Sequence, residues 1–265
     1  MLQGCRLSTA ILILFLSGLT AAAELVAPYV NTVQEDVELM LDLAEVGEGD
    51  YLIDLGSGDG RIVIAAARRG AHGHGIELRA DLVKLAADKA MDAGVADQVH
   101  FVEGDIFTAD LSQATVVTAY LFPEANIQLR PKLLAELPPG TRVVSNAFHR
   151  GDWQPDRHEY GRTSGGAMLW IIPARIEGLW NLSFGERQLS MRMVQRYQSI
   201  TITLSEDGKW LPVAEATLSG NRITFRTAGN EPLQFSGTVH GDDGNSMSGQ
   251  LVSPTAELSW QAQRP

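Results

Sequence analysis

Tyr51-Leu52-Ile53-Asp54-Leu55-Gly56-Ser57-Gly58-Asp59-Gly60-Arg61 is the stretch whose reading decides the fold. A short apolar run carrying one acid ends in three glycines spaced two apart, and Ile62 to Arg69 then has helical character up to Gly70. This is strand, glycine turn, helix. Glycines let a backbone come close to a ligand, and the helix that follows offers the positive end of its dipole. The spacing is G-x-G-x-G after an acid, not the G-x-G-x-x-G of the pyrophosphate fingerprint, so NAD is disfavoured. No G-x-x-x-x-G-K-[ST] occurs, which leaves a nucleoside-triphosphatase loop unsupported. Taken alone, such a turn is weak evidence, since a tight strand-to-helix connection also explains it.

The same alternation extends on both sides. Upstream, Thr32-Val33-Gln34-Glu35 has the pattern of a capping box, and Val37, Leu39, Met40, Leu43 and Ala44 at helical spacing predict a helix over 32–46. Downstream, the runs 73–78, 80–93, 99–103, 115–122, 124–137 and 141–148 alternate strand with helix, and 158–163 and 167–173 around Ser164-Gly165-Gly166 predict an antiparallel hairpin. The fold class expected is α/β, a doubly wound, mainly parallel sheet with covering helices. Beyond Pro173 the pattern changes to short alternating runs broken by Asp207-Gly208, Ser219-Gly220-Asn221, Gly229-Asn230, Asp243-Gly244 and Ser253-Pro254. Up to eight strands there predict a small all-β antiparallel barrel or sandwich, with Trp180, Trp210 and Trp260 packing its core. Gly178-Leu179-Trp180 resembles the G-x-W near the start of lipocalin-like barrels, but three residues are a weak signal and a buried Trp on a first strand is the favoured account.

Three segments follow: 1–23 as an address, 24–174 as the α/β domain and 175–265 as the β domain. Arg6, the apolar run Leu7 to Leu19 and Ala21-Ala22-Ala23 before Glu24 form a secretory signal with an A-x-A cleavage site, implying export, in a bacterium to the periplasm. An uncleaved N-terminal anchor is the alternative; after cleavage no membrane span is expected. The only cysteine, Cys5, lies in that address, so a disulfide, a thiolate nucleophile and Cys-ligated zinc are excluded from the mature chain. With 45% hydrophobic and 20% charged residues in 265, the rest builds a packed core. Residues 1–174 carry 13 Lys and Arg against 23 Asp and Glu, and 175–265 carry 8 against 9. An acidic surface repels phosphate, so no nucleic-acid partner is expected, while a cationic ligand or Lys-rich segment suits it. His72 and His74 share one face of a strand but no third ligand has suitable spacing, so no metal site is expected.

Acids recur at the carboxyl ends of successive strands: Asp54, then Glu77 in Gly75-Ile76-Glu77-Leu78, then Asp105 in Gly104-Asp105-Ile106. In a doubly wound sheet these ends open on one crevice, where a carboxylate can accept the hydroxyls of a ribose. Each is also explicable as a solvated strand-end charge; their order and placement together point to a nucleoside site.

Asp54 to Gly60, Glu77 and Gly104-Asp105 are similar to the successive motifs of class I S-adenosylmethionine-dependent methyltransferases, and the resemblance covers about 28–173. Pro28-Tyr29-Val30, Asp54 to Arg61, Gly75 to Leu78 and Tyr120-Leu121-Phe122-Pro123-Glu124-Ala125-Asn126 resemble a lysine-methyltransferase branch that includes the disruptor-of-silencing histone enzymes and the mitochondrial enzymes that modify an ATP-synthase subunit. The resemblance implies a seven-stranded sheet with one antiparallel strand and S-adenosylmethionine as cofactor. It also implies a cofactor site of Tyr29, Asp54, Gly56, Gly58, Gly60, Glu77, Asp105 and Ile106, with the glycines along the methionine moiety, Glu77 on the ribose, and Asp105 and Ile106 facing the adenine. Thr118-Ala119-Tyr120-Leu121-Phe122 departs from the Asn-rich substrate motif of the histone enzymes, which leaves the acceptor open. Tyr120 and Phe122 are the candidate catalytic pair: they shape an amine channel whose ring faces favour a cation, or they pack a strand end. Three functions remain: methylation of protein lysine, methylation of a small molecule, and an exported, non-catalytic binding module that keeps the fold. Oligomeric state is not legible.

Overall fold

The computed structural model describes residues 32–147, 149–161, 165–241 and 244–265. The address at 1–23 and Tyr29 lie outside the described residues. The first element is helix α1 (Gln34–Leu43), which buries Val37, Met40 and Leu41 at helical spacing. It is shorter than 32–46 and is capped differently. Val33 is the N-cap, its carbonyl accepting the amides of Asp36 and Val37, so Thr32 lies one residue outside and makes no capping-box bond. At the other end Glu45 takes a left-handed φ of 52° and the amide of Val46 closes on the Leu41 carbonyl, which stops the helix before Gly47.

There follow β1 (Tyr51–Leu55), α2 (Arg61–Arg68), β2 (His72–Glu77), α3 (Ala80–Asp92), β3 (Val99–Glu103), β4 (Val116–Ala119), α4 (Pro123–Glu136), β5 (Arg142–Asn146), β6 (Arg157–Glu159) and β7 (Ala167–Ile171). They form a seven-stranded sheet of order β3-β2-β1-β4-β5-β7-β6 in which β7 alone runs antiparallel to its neighbours. Leu52, Val116 and Val144 face a core shared with α1 and α2, while Ile53, Val117 and Val143 face Leu129, Leu133, Trp153 and Trp170 on the other side. Strand order reverses between β1 and β4, the place where open α/β sheets bind ligands.

The fourth strand stops at Ala119, short of the expected 122. Phe122, with ψ of 155°, is the N-cap of α4 and Pro123 fills its first position, because the residue before a proline is driven out of helical backbone. Tyr120-Leu121-Phe122 is therefore a connection. The Asn126 side chain, wholly buried, pins it by donating from Nδ2 to the Leu121 carbonyl (3.0 Å).

Beyond Ile171 the chain enters β8 (Gly178–Phe184), β9 (Arg187–Arg196), β10 (Ser199–Glu206), β11 (Lys209–Leu211), β12 (Val213–Ser219), β13 (Arg222–Thr227), β14 (Gln234–His240), β15 (Ser246–Val252) and β16 (Glu257–Gln263). These nine described strands, one more than expected, make a single antiparallel sheet of order β11-β10-β9-β8-β16-β15-β14-β13-β12 that curls until β10 meets β12. It is a barrel with an open seam. Trp180 and Trp260 are buried in its core beside Phe225 and Phe235. Trp210 is not: it is 72% exposed, because it stands opposite Ser205, whose side chain is on the outer face.

The two sheets are in contact. The carboxylate of Asp152 receives Arg130, Arg196 and the Tyr197 hydroxyl (3.0 Å), and Trp153 donates its indole N–H to Gln198 (2.9 Å). Gly220 and Gly140 touch so closely that a Cβ on Gly220 would come within 2.9 Å of the Gly140 Cα.

Candidate active site

The turn after β1 is built on backbone. Gly56, Gly58 and Gly60 all have positive φ (79°, 53° and 78°), a conformation costly for other residues. The amides of Gly56 and Ser57 both bond the Ile76 carbonyl (2.9 and 3.0 Å), which fastens the loop to β2. Ser57 is buried and turned onto Gly75, where an added Cβ would come within 2.4 Å of the serine Cβ and Oγ. A glycine at 75 is thus a condition for the loop's position.

Glu77 closes the loop from the side. Its Oε2 accepts the Gly58 amide (3.0 Å) and its Oε1 accepts the Arg79 amide (3.1 Å). Each carboxylate oxygen still has a lone pair for a ligand hydroxyl. Asp54 lies behind the loop, buried, accepting the Thr118 hydroxyl at 2.7 Å. Burial pushes its carboxyl up to about 7 against the pull of the Thr118 hydrogen bond, and the nearby Glu77 and Asp59 charges add to the rise. Asp59 goes the other way. Burial alone would raise it, but hydrogen bonds and charge from Arg61 and Lys89 hold it well below the usual carboxylate range. Arg61 also donates from Nη1 to the Thr32 carbonyl (2.6 Å), which holds the start of α1 against the glycine loop.

Asp105 follows β3 and turns its carboxylate back on its own chain, accepting the Phe107 amide at 2.9 Å. Ile106 is 2% exposed and packs with Ile76, Leu111 and Leu121. Leu121 also reaches the loop, since a Cβ on Gly56 would meet its Cδ2 at 3.2 Å. That contact brings the β4 to α4 connection beside the glycines, so half-buried Tyr120 and Phe122, 37% exposed, flank the same crevice. The described cofactor candidates and the aromatic pair therefore gather on one edge of the sheet. His72 and His74 do not join them. His74 lies 3.1 Å from the Tyr51 hydroxyl, stacks on His100, and is lowered to about 4 by burial and by His100. Reading the sequence gave no role to Thr118, Lys89 or Asn126, although Thr118 and Asn126 lie in stretches quoted from it; the pairing of Thr118 with Asp54 is set by the β1–β4 register.

The chain is 42% identical over 150 residues to a protein-lysine N-methyltransferase of Saccharolobus islandicus, covering 55% of this chain and 93% of that protein. Residues 54–157 match the model of the ANTKMT methyltransferase domain. The chain belongs to the class I S-adenosylmethionine-dependent methyltransferases. A solved RNA methyltransferase of Salinibacter ruber, bound to S-adenosyl-L-homocysteine, is 54% identical to this methyltransferase, with a TM-score of 0.54 over 56% of this chain and 96% of that one. The adenine nucleotide translocase lysine N-methyltransferase of Mus musculus is 41% identical over 129 residues, 48% of this chain, and the match spans 56% of the mouse protein. The site fits the cofactor. A loop bared by left-handed glycines, with its one serine turned inward, admits a ligand against backbone, and Glu77 presents a carboxylate beside it.

Proposed function

We propose that this methyltransferase transfers the methyl group of S-adenosylmethionine to the ε-amine of a lysine on a protein. The observation that carries this reading is the identity with the Saccharolobus protein-lysine enzyme along 93% of its length. In this reading Gly56, Gly58 and Gly60 line the methionine moiety, Glu77 takes the ribose hydroxyls, and Asp105 and Ile106 border the adenine. Asp54 supports the loop from behind through Thr118. The bound cofactor supplies an electrophilic methyl group on a sulfonium; the protein's part is to align an amine in line with it and exclude water. A lysine amine, with a reference pKa of about 10.4, attacks only when neutral. Tyr120 and Phe122 orient it at the mouth of the crevice, and the acidic surface of the first domain draws a Lys-rich segment toward it. Export of the enzyme belongs to the same proposal and rests on the sequence from Arg6 to Ala23; a mature N-terminus at Glu24 in the exported fraction is its check.

The test is transfer of labelled methyl groups to a whole extract, with mass spectrometry of the modified residues. Label on protein lysine is expected. Phe122→Ala should cut transfer on the order of a hundredfold while cofactor affinity in calorimetry stays unchanged, because the acceptor loses its alignment and the glycine loop does not. A second reading, methylation of RNA, is favoured by the likeness to the Salinibacter RNA methyltransferase, while the excess of Asp and Glu weighs against it. Label confined to RNA would replace the lysine reading, and label confined to small molecules would overturn both.

A further inference from the structure

Trp210 stands at one end of a row of outward side chains that crosses five strands. It faces Ser205, Ser205 faces Ser190, Ser190 faces Asn181, and Asn181 faces Gln263. A second row, Gln188, Ser183 and Gln261, runs beside the first, two residues away along each strand and therefore on the same face. From Gln263 to Ser205 the rows floor a groove of about 660 Å³, bounded by the Asp207-Gly208 turn and by Arg264, and Trp210 stands outside that lining, next to Ser205 at the end of the row.

Two properties set this groove apart from an ordinary solvated sheet face. Elsewhere on the outer surface, facing or diagonal polar side chains bond one another: Thr217 with Thr224 (2.6 Å), His240 with Ser248 (2.7 Å), Gln250 with Ser259 (3.4 Å). On the groove floor none of the amides and hydroxyls bonds another described residue, so every donor and acceptor there is open to a ligand. The two rows are also uncharged, in a chain of net charge −11, and the charges of the described lining are Asp207 at the turn and Arg264 at the rim. Among the described lining residues the one cation is committed: Arg264 lies over the Trp180 ring, 4.6 Å to the centroid, and donates to the carbonyls of Glu177 (2.8 Å) and Arg175 (3.2 Å).

A matching ligand is neutral, rich in groups that both donate and accept, and has a flat apolar face for an indole. Sugar rings have these properties: vicinal hydroxyls match the paired C=O and NH2 of Asn and Gln, and the C–H face of a pyranose stacks on an aromatic ring. Nucleic acid would need free cations, and a protein partner would need an apolar centre, which the floor lacks. We propose that the barrel binds a neutral polysaccharide across β16, β8, β9, β10 and β11, with Trp210 as the stacking platform. Strands lie ~4.8 Å apart, so the row from Gln263 to Trp210 spans ~19 Å, the reach of an oligosaccharide rather than of one sugar.

The experiment is affinity electrophoresis of the full protein in native gels containing hydroxyethylcellulose, xylan, mixed-linkage β-glucan or dextran, with polygalacturonate as an acidic counterpart. Retardation by at least one neutral polymer is expected. Trp210→Ala and Asn181→Ala should each weaken it about tenfold, with S-adenosylmethionine binding and melting temperature unchanged, since both positions are exposed and belong to the barrel sheet, not to the sheet that carries the glycine loop. Unaltered mobility in every neutral gel, retardation that survives both substitutions, or retardation by polygalacturonate alone would overturn the proposal.

Discussion

Asp54 holds its carboxyl up to about 7, against an ordinary value of 3.8, so between these values the folded chain binds a proton that the unfolded chain has lost. Stability therefore falls as pH rises from about 4 to about 7, the reverse of the usual carboxylate case. Melting temperatures from pH 4 to pH 8 should show this decline in the wild type and a flatter profile in Asp54→Asn; parallel profiles would mean that Asp54 ionises normally. Arg150 presents a second buried charge. It is fully buried over the Trp170 ring at 5.2 Å, none of its guanidinium nitrogens has a hydrogen-bond partner among the described residues, and burial pulls it down to about 9. Arg150→Met, which keeps much of the reach, should raise stability by on the order of 1–3 kcal/mol in denaturant titration, because folding then no longer strips a charge of water without giving it a partner. A loss of that size would show that an ordered water or anion serves the guanidinium. The acids were legible as residues because each sits at the end of its own strand. Their partners were not, since Thr118 meets Asp54 across 64 residues and only strand register brings them together.

The glycine loop works as an element only while its neighbours stay bare. A Cβ on Gly60, at φ 78°, would come within 2.6 Å of the Phe101 ring and 2.9 Å of the Ala86 Cβ. Gly60→Ala should therefore destabilise the fold by about 1–3 kcal/mol, whereas Gly47→Ala, with nothing within 4 Å of the added carbon, should be near neutral. Urea unfolding of the two variants separates a backbone requirement from a general cost of losing glycine. At this scale strand, glycine turn and helix could be read at once, because apolar runs and turn residues are local signals. What could not be read was decided by competition between neighbours: Val33 takes the cap from Thr32, and Pro123 ends the extended run before Tyr120. Trp210 was misplaced because a period of two says which residues share a face and not which face is inside, and a strand as short as Lys209–Leu211 offers too few residues to decide.

At the scale of the molecule, the described residues proposed to touch the cofactor precede the barrel. A fragment of residues 24–174 should keep its affinity for S-adenosylmethionine in calorimetry, but with a lowered melting temperature, since it loses the Gln198 partner of Trp153 and the Arg196 and Tyr197 bonds to Asp152. A folded fragment that no longer binds would show that the barrel shapes the crevice. The barrel's open seam has a consequence of another kind. An incompletely closed sheet presents two rows of unpaired backbone groups, the usual template for edge-to-edge association between chains. Here both rows are spoiled. One edge is the three-residue strand β11, the other begins with an irregular register between Val213 and Glu215, and Pro212, which has no amide hydrogen to donate, joins the two. These features disfavour extension of the seam into a neighbouring molecule's sheet.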